Sequence, residues 1–109
     1  MIDRATFNDL KQMSGEDFIN ELIDAFLEDA PDMIGHMESA LSTQDIETFR
    51  RNAHSLKSNA NTFGAIELGA LAKELEIMAK ENNLNVGDRL AVLKDTFAAV
   101  AEELQGMRT

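Results

Sequence analysis

The chain has 109 residues, of which 20 are acidic and 10 basic, for a net charge of −10, and it contains no cysteine. Without cysteine there is no disulfide framework and no thiolate metal site, and the acidic balance argues against binding to a nucleic-acid backbone, where affinity comes from clustered Lys and Arg. Apolar residues make up 44% of the chain and proline occurs once, with no strand-like alternation, so residues 1–109 read as one all-α domain.

Taken in order, Asp3 is placed to cap a short helix running to about Met13, with Phe7 and Leu10 turned inward. Ser14-Gly15-Glu16-Asp17 resembles a capping box that opens a second helix. Phe18, Leu22, Ala25 and Phe26 form its main apolar stripe, widened by Ile19, Ile23 and Leu27. Pro31 lacks a backbone donor and would cost a helix interior about 3 kcal/mol. The helix therefore either kinks there or restarts with Pro31 in a new first turn, followed by Met33, Ile34, Met37 and Leu41. His36 sits at the boundary of that stripe, and Met33, Met37 and Met78 read as core filler.

Asp45 or Thr43 caps the next helix, whose apolar residues Ile46, Phe49, Ala53, Leu56, Ala60 and Phe63 recur at alternating spacings of three and four. Their stripe centres roughly 130° around the helix from His54, which therefore faces water or a partner. Arg50, Lys57, Ser58 and Asn61 share that polar face. Gly64 ends the helix. Residues 65–82 read as another helix, with Leu68, Leu71, Ala72, Leu75 and Met78 inward and Gly69 marking a close approach of two backbones. A polar loop over residues 82–88 leads to a last helix from about Asp88 to Leu104, burying Leu90, Leu93, Phe97, Val100 and Leu104. Gly106 to Thr109 should fray. The short connections imply an up-and-down antiparallel four-helix bundle with an additional short N-terminal helix.

Histidine is the side chain whose ordinary pKa lies near neutrality, so a nucleophilic ring nitrogen is available at cellular pH. A phosphoryl group on His54 would carry close to two negative charges, and Lys57, one turn away, is within reach to offset them. Arg50, Arg51, His54 and Lys57 make an electropositive spot on a negative body, suited to one phosphoryl group or to an acidic partner pocket. No His-x3-His or Glu-x-x-His pair offers a metal site, and no glycine-rich loop offers a nucleotide site. No run of about 18 apolar residues is present and the N-terminus lacks the layout of a signal peptide, so a cytoplasmic protein without a membrane partner is expected.

The string from Ala53 to Ala65, Ala-His-Ser-Leu-Lys-Ser-Asn-Ala-Asn-Thr-Phe-Gly-Ala, resembles the signature of histidine-containing phosphotransfer domains. The resemblance extends upstream through Phe26-Leu27-Glu28-Asp29-Ala30-Pro31 and downstream through Leu68, Leu71, Ala72, Leu75 and Glu76. Many members carry glycine four residues after the histidine; Ser58 stands there, small enough to be tolerated.

What the resemblance implies is a phosphorelay intermediate in which His54 accepts a phosphoryl group from one receiver-domain aspartate and passes it to another. It implies partners that are response-regulator receiver domains and a hybrid sensor histidine kinase. Any Mg²⁺ would sit on the receiver, leaving this chain with no cofactor, no ATP site and no autokinase activity. Lys57 would offset the phosphoryl charge, and Glu76, 22 positions after the histidine, would accept a hydrogen bond from the ring and orient it. Receivers would dock on an apolar patch beside the histidine, with Phe18 and Leu22 of the second helix contributing and Arg50, Arg51, Ser58 and Asn61 as polar contacts. The alternative is a non-catalytic helical-bundle adaptor in which His54 is incidental.

Overall fold

In a computed structural model that describes residues 1–108, five helices follow one another: α1 Arg4–Ser14, α2 Glu16–Thr43, α3 Ile46–Thr62, α4 Ile66–Lys80 and α5 Arg89–Gly106. Asp3 caps α1 by accepting a hydrogen bond from the Thr6 backbone N–H, and Asp45 caps α3 in the same way through Thr48. Each aspartate satisfies a donor that the first helical turn leaves unpaired. The other expected cap does not form. Ser14 is the last residue of α1, and Gly15, at φ +87°, stands before α2 with no side-chain cap. The two helices share one residue of linker, so Ser14 completes the first helix and cannot begin the second.

Helix α2 runs unbroken through Pro31. The proline is exposed, while Ala30 and Ile34 on either side of it are buried and hold the helix against its neighbours. The inward stripe of α2 is Ile19, Ile23, Phe26, Ala30, Ile34, Met37 and Ala40. This corrects the sequence expectation: Phe18 and Ala25 are exposed, and Leu22 lies at the edge of the core. Gln44 at φ +58° ends α2, and α3 doubles back.

Helices α2 to α5 pack each on its chain neighbours, and α5 closes the ring against α2. Ion pairs mark the antiparallel register of that closure, Lys94 with Glu38 at 3.0 Å and Arg108 with Asp24 at 2.8 Å. Phe26 stands at the centre of the α2–α3–α5 seam, its ring 5.1 Å from Phe63 and 5.9 Å from Phe97. The short α1 covers one end of the bundle, where the Asp3 N–H donates to the Gly64 carbonyl at 2.8 Å and the Ile2 N–H to Glu103 Oε1 at 3.0 Å. Gly64 adopts φ +86°, the left-handed conformation expected past a helix end.

Two ends differ from expectation. Helix α4 stops at Lys80 rather than Asn82, because Asn82 turns to φ +57°. The C-terminus does not fray as far as it is described: α5 reaches Gly106, Met107 packs on the core and Arg108 pairs with Asp24. Thr109 lies outside the described residues.

Candidate functional site

The site lies on the α3–α4 seam. On α3, Phe49, Ala53, Leu56 and Ala60 are fully buried, which leaves the His54 side chain 55% exposed on the opposite face. On α4, Leu68, Ala72, Leu75 and Ala79 bury one stripe, and Glu76 lies within it at 2% exposure. A buried ionised carboxylate is tolerated only when partners replace its water. Glu76 has three: His54 Nδ1 at 2.7 Å from Oε2, Lys57 Nζ at 2.8 Å from Oε1, and Lys80 Nζ at 3.6 Å from Oε2. Burial pushes the carboxyl pKa up, but hydrogen bonds from Lys57 and His54 outweigh it and lower the value to about 2.

An ionised carboxylate only accepts hydrogen bonds, so the His54 nitrogen facing it carries the proton. In the neutral ring the lone pair is then on Nε2, the nitrogen turned away from Glu76. Lys57, whose side chain is 24% exposed, has its ammonium committed to Glu76. The sequence reading reaches Lys57 through its proximity to His54; Lys80 lies four residues after Glu76, at the spacing of an i,i+4 pair. The structure brings all three side chains, His54, Lys57 and Lys80, to the one Glu76 carboxylate.

The remaining polar candidates line the same face. Arg50 Nε donates to Glu47 at 3.1 Å, and Arg51 Nε stands 4.0 Å from the same carboxylate, so one acid offsets part of both charges. Ser58 is exposed one turn beyond His54. Asn61 lies against Gly69 of α4, where a Cβ on the glycine would come 2.1 Å from Asn61 Oδ1. The close approach expected at Gly69 is therefore with the α3 side chain that ends the polar face.

Phe18 and Leu22 are not brought to His54. The Phe26–Phe63 contact sets the antiparallel register of α2 and α3. At 1.5 Å per residue, Phe18 and Leu22 lie about 25 and 20 Å along the bundle from the level of His54. By the same register the α2 residues level with it run from Met33 to Met37. Leu22 does line a groove with Ala25, Phe26, Asp29, Asn59, Thr62 and Phe63, which leads along the α2–α3 seam toward the histidine. Phe18 is 50% exposed beyond that groove.

Among the described residues no group of three metal-ligating side chains comes together, and no helix is long and apolar enough to cross a membrane. A helical bundle with an exposed histidine, one ring nitrogen held by a buried carboxylate, has a side chain that can carry a group. The family model for the Hpt domain matches residues 21–108, and the chain belongs to the Hpt, or histidine phosphotransfer, family. It is a phosphorelay intermediate of two-component signalling, a carrier rather than a kinase, in a family that works with receiver domains and kinases. The crystal structure of histidine-containing phosphotransfer protein B (HptB) from Pseudomonas aeruginosa PAO1 has the same fold. It matches at TM-score 0.89 and 24% identity over 98% of this chain and 93% of that one. No curated protein matches the chain in sequence.

Proposed function

We propose that His54 is the phosphoacceptor and Nε2 its reacting atom. The observation that carries this reading is the 2.7 Å contact between Nδ1 and the buried Glu76 carboxylate. It fixes the ring without covering it, which is the positioning that a phosphoryl transfer needs from the nucleophile's side. The Nε2 lone pair forms a bond to phosphorus as the bond from phosphorus to a receiver's aspartyl oxygen breaks, and the electron pair leaves with the carboxylate. Nδ1 keeps its proton and donates it in a hydrogen bond to the ionised Glu76, so the ring's new positive charge faces a fixed negative one. The reverse step loads a second receiver.

Glu76 thus orients the ring, and Lys57 adds positive charge beside the phosphoryl group while holding Glu76 in place. The receivers supply the acidic pocket and Mg²⁺, and one of them belongs to a hybrid sensor kinase. This chain supplies no ATP site and no autokinase step. We place the relay in the cytoplasm. Arg50, Arg51, Ser58 and Asn61 form the polar part of the docking face, and the groove at Leu22, with Phe18 beyond it, supplies the apolar part.

Incubation with a phosphorylated receiver should yield an acid-labile, alkali-stable phosphoprotein. His54→Gln should abolish it while leaving the helical content unchanged, because the ring is off the buried stripe. A phosphoprotein that persists in that variant would move the acceptor elsewhere.

A further inference from the structure

Gly69 is a poor residue for the place it occupies. Glycine in a helix interior is less favourable than alanine, and asparagine is also a weak helix former. Gly69 and Asn61 nonetheless face each other across the α3–α4 seam. The glycine is buried, and the Asn61 amide covers it. A Cβ on Gly69 would lie 2.1 Å from Oδ1, 2.8 Å from Cγ and 3.2 Å from Nδ2, so the whole amide rests on the bare Cα. Turning the amide about its own axis would not clear that space, because Cγ itself is too close. Two unfavourable local choices that fit each other this closely point to a requirement outside either helix.

That requirement lies two turns away. Asn61 follows His54 by seven residues on α3, and Gly69 precedes Glu76 by seven on α4. Seven residues are nearly two full turns, about 10 Å, so both pairs stand on one edge of the antiparallel seam. Lys57 lies between them and clamps Glu76 from α3. We propose that Asn61 and Gly69 are positioning residues for the histidine. Their contact sets the separation of α3 and α4 at which Glu76 Oε2 reaches His54 Nδ1. That contact is 2.7 Å long, and a displacement of about 1 Å would carry it beyond hydrogen-bond length. The bearing of the pair on transfer rests on His54 being the phosphoacceptor.

The test reads the ring directly. ¹⁵N NMR separates the two neutral tautomers, and the contact with ionised Glu76 holds His54 in the Nδ1–H form. In Gly69→Ala the added methyl wedges the helices apart, and the ring should move toward the tautomer mixture of a free imidazole. Asn61→Ala adds no clash and leaves the seat empty. It should shift the ring the same way by less, and it tests the pair even if Gly69→Ala fails to fold. The double variant exchanges the amide for a methyl and should return to the wild-type tautomer. Phosphoramidate, a small donor that phosphorylates histidine without a docked partner, gives the matching rate. A proton on Nε2 blocks its lone pair, so labelling should slow roughly tenfold in Gly69→Ala and recover to within about threefold of wild type in the double variant. A merely structural contact would lower the melting temperature of the single variants and leave tautomer and labelling rate as in wild type. That result overturns the proposal, as does a double variant no better than Gly69→Ala. Labelling that survives His54→Gln would instead overturn the assignment of His54, while the tautomer, which needs no phosphoryl group, still decides the role of the pair.

Discussion

Glu76 and Lys57 join α4 to α3 through one buried contact, Oε1 to Nζ at 2.8 Å, with the carboxylate 2% exposed. The contact spans 19 residues of sequence and ties the helix that carries the histidine to the helix that orients it. The strength of the site and the stability of the seam are therefore linked through a single carboxyl group.

That linkage sets a pH dependence. Glu76 is lowered from 4.5 to about 2 on folding. A depressed carboxyl contributes stability that is fully present above its unfolded value and is lost as pH falls toward the folded one. The window is therefore pH 4.5 down to 2, and the contribution is at most about 3 kcal/mol. Denaturant unfolding at pH 6 and pH 3 should show wild type losing more stability than Glu76→Gln over that interval. Equal losses would mean that Glu76 titrates alike in both states.

The clamp also separates Lys57 from an ordinary surface lysine. An exposed ion pair is worth at most about 1 kcal/mol, whereas removing one partner of a buried pair costs about 3 kcal/mol or more. Lys57 is partly exposed, so Lys57→Ala should fall between these, at about 2 kcal/mol. Glu76→Gln should cost less, since the amide oxygen still accepts from Lys57 while its NH₂ can donate to Nδ1 of the other His54 tautomer. The double variant should show a coupling energy above about 1 kcal/mol, the signature of direct contact. Additive losses would dissolve the clamp into two independent effects.

Much of this was legible in the sequence. Asp3, Asp45 and Gly64 mark helix ends through local chemistry, and all three act as that chemistry requires. The α3 stripe is narrow and strictly periodic, so the face carrying His54 follows from spacing alone. In α2 the apolar residues cover more than one face. Phe18, Leu22, Ala25 and Phe26 fit a helical period as well as Ile19, Ile23, Phe26 and Ala30 do. The choice between two stripes about 100° apart is made by where α3 and α5 pack, which no local pattern contains. Ser14 has the residue type for a cap but is consumed by α1. Glu76 sits beside Leu75 and between Ala72 and Ala79, a position that reads as core, and the resemblance names it as the ring's partner. That Lys57 crosses to it is invisible to any i,i+3 or i,i+4 rule.

Gly64 ties the N-terminal segment to the end of the bundle where α3 turns into α4. Its φ of +86° suits glycine, and a Cβ there would lie 2.7 Å from the Asp3 carbonyl oxygen, a backbone atom that cannot swing aside. Gly64→Ala should therefore destabilise by more than the roughly 1 kcal/mol of a left-handed residue alone. We expect about 2–3 kcal/mol, with loss of the Asp3–Gly64 hydrogen bond and detachment of α1. Gly106, with nothing within 4 Å of its Cβ position, is the matching control. Thermal unfolding of the two alanine variants makes the comparison, and similar melting temperatures would show that α1 yields without cost.

Docking can be separated from chemistry by the size of the phosphodonor. The groove at Leu22 runs along the α2–α3 seam as far as Asp29 and Asn59, on the side of the histidine, while Phe18 lies farther out, about 25 Å along the bundle from His54. A receiver domain that covers the groove must bury Leu22, whereas phosphoramidate needs only Nε2. Truncating a half-buried leucine at an interface costs about 1–2 kcal/mol. Leu22→Ala should therefore lower kcat/KM for transfer from a phosphorylated receiver by roughly 5- to 30-fold. The rate with phosphoramidate should stay within twofold of wild type. Phe18→Ala should act in the same direction and more weakly, because it lies at the edge of any footprint centred on the histidine. Leu22 also touches the core, so urea unfolding of the variant must show it folded under assay conditions. Equal slowing with both donors would place the effect of Leu22 on the ring and its clamp, and would remove the groove from the docking face.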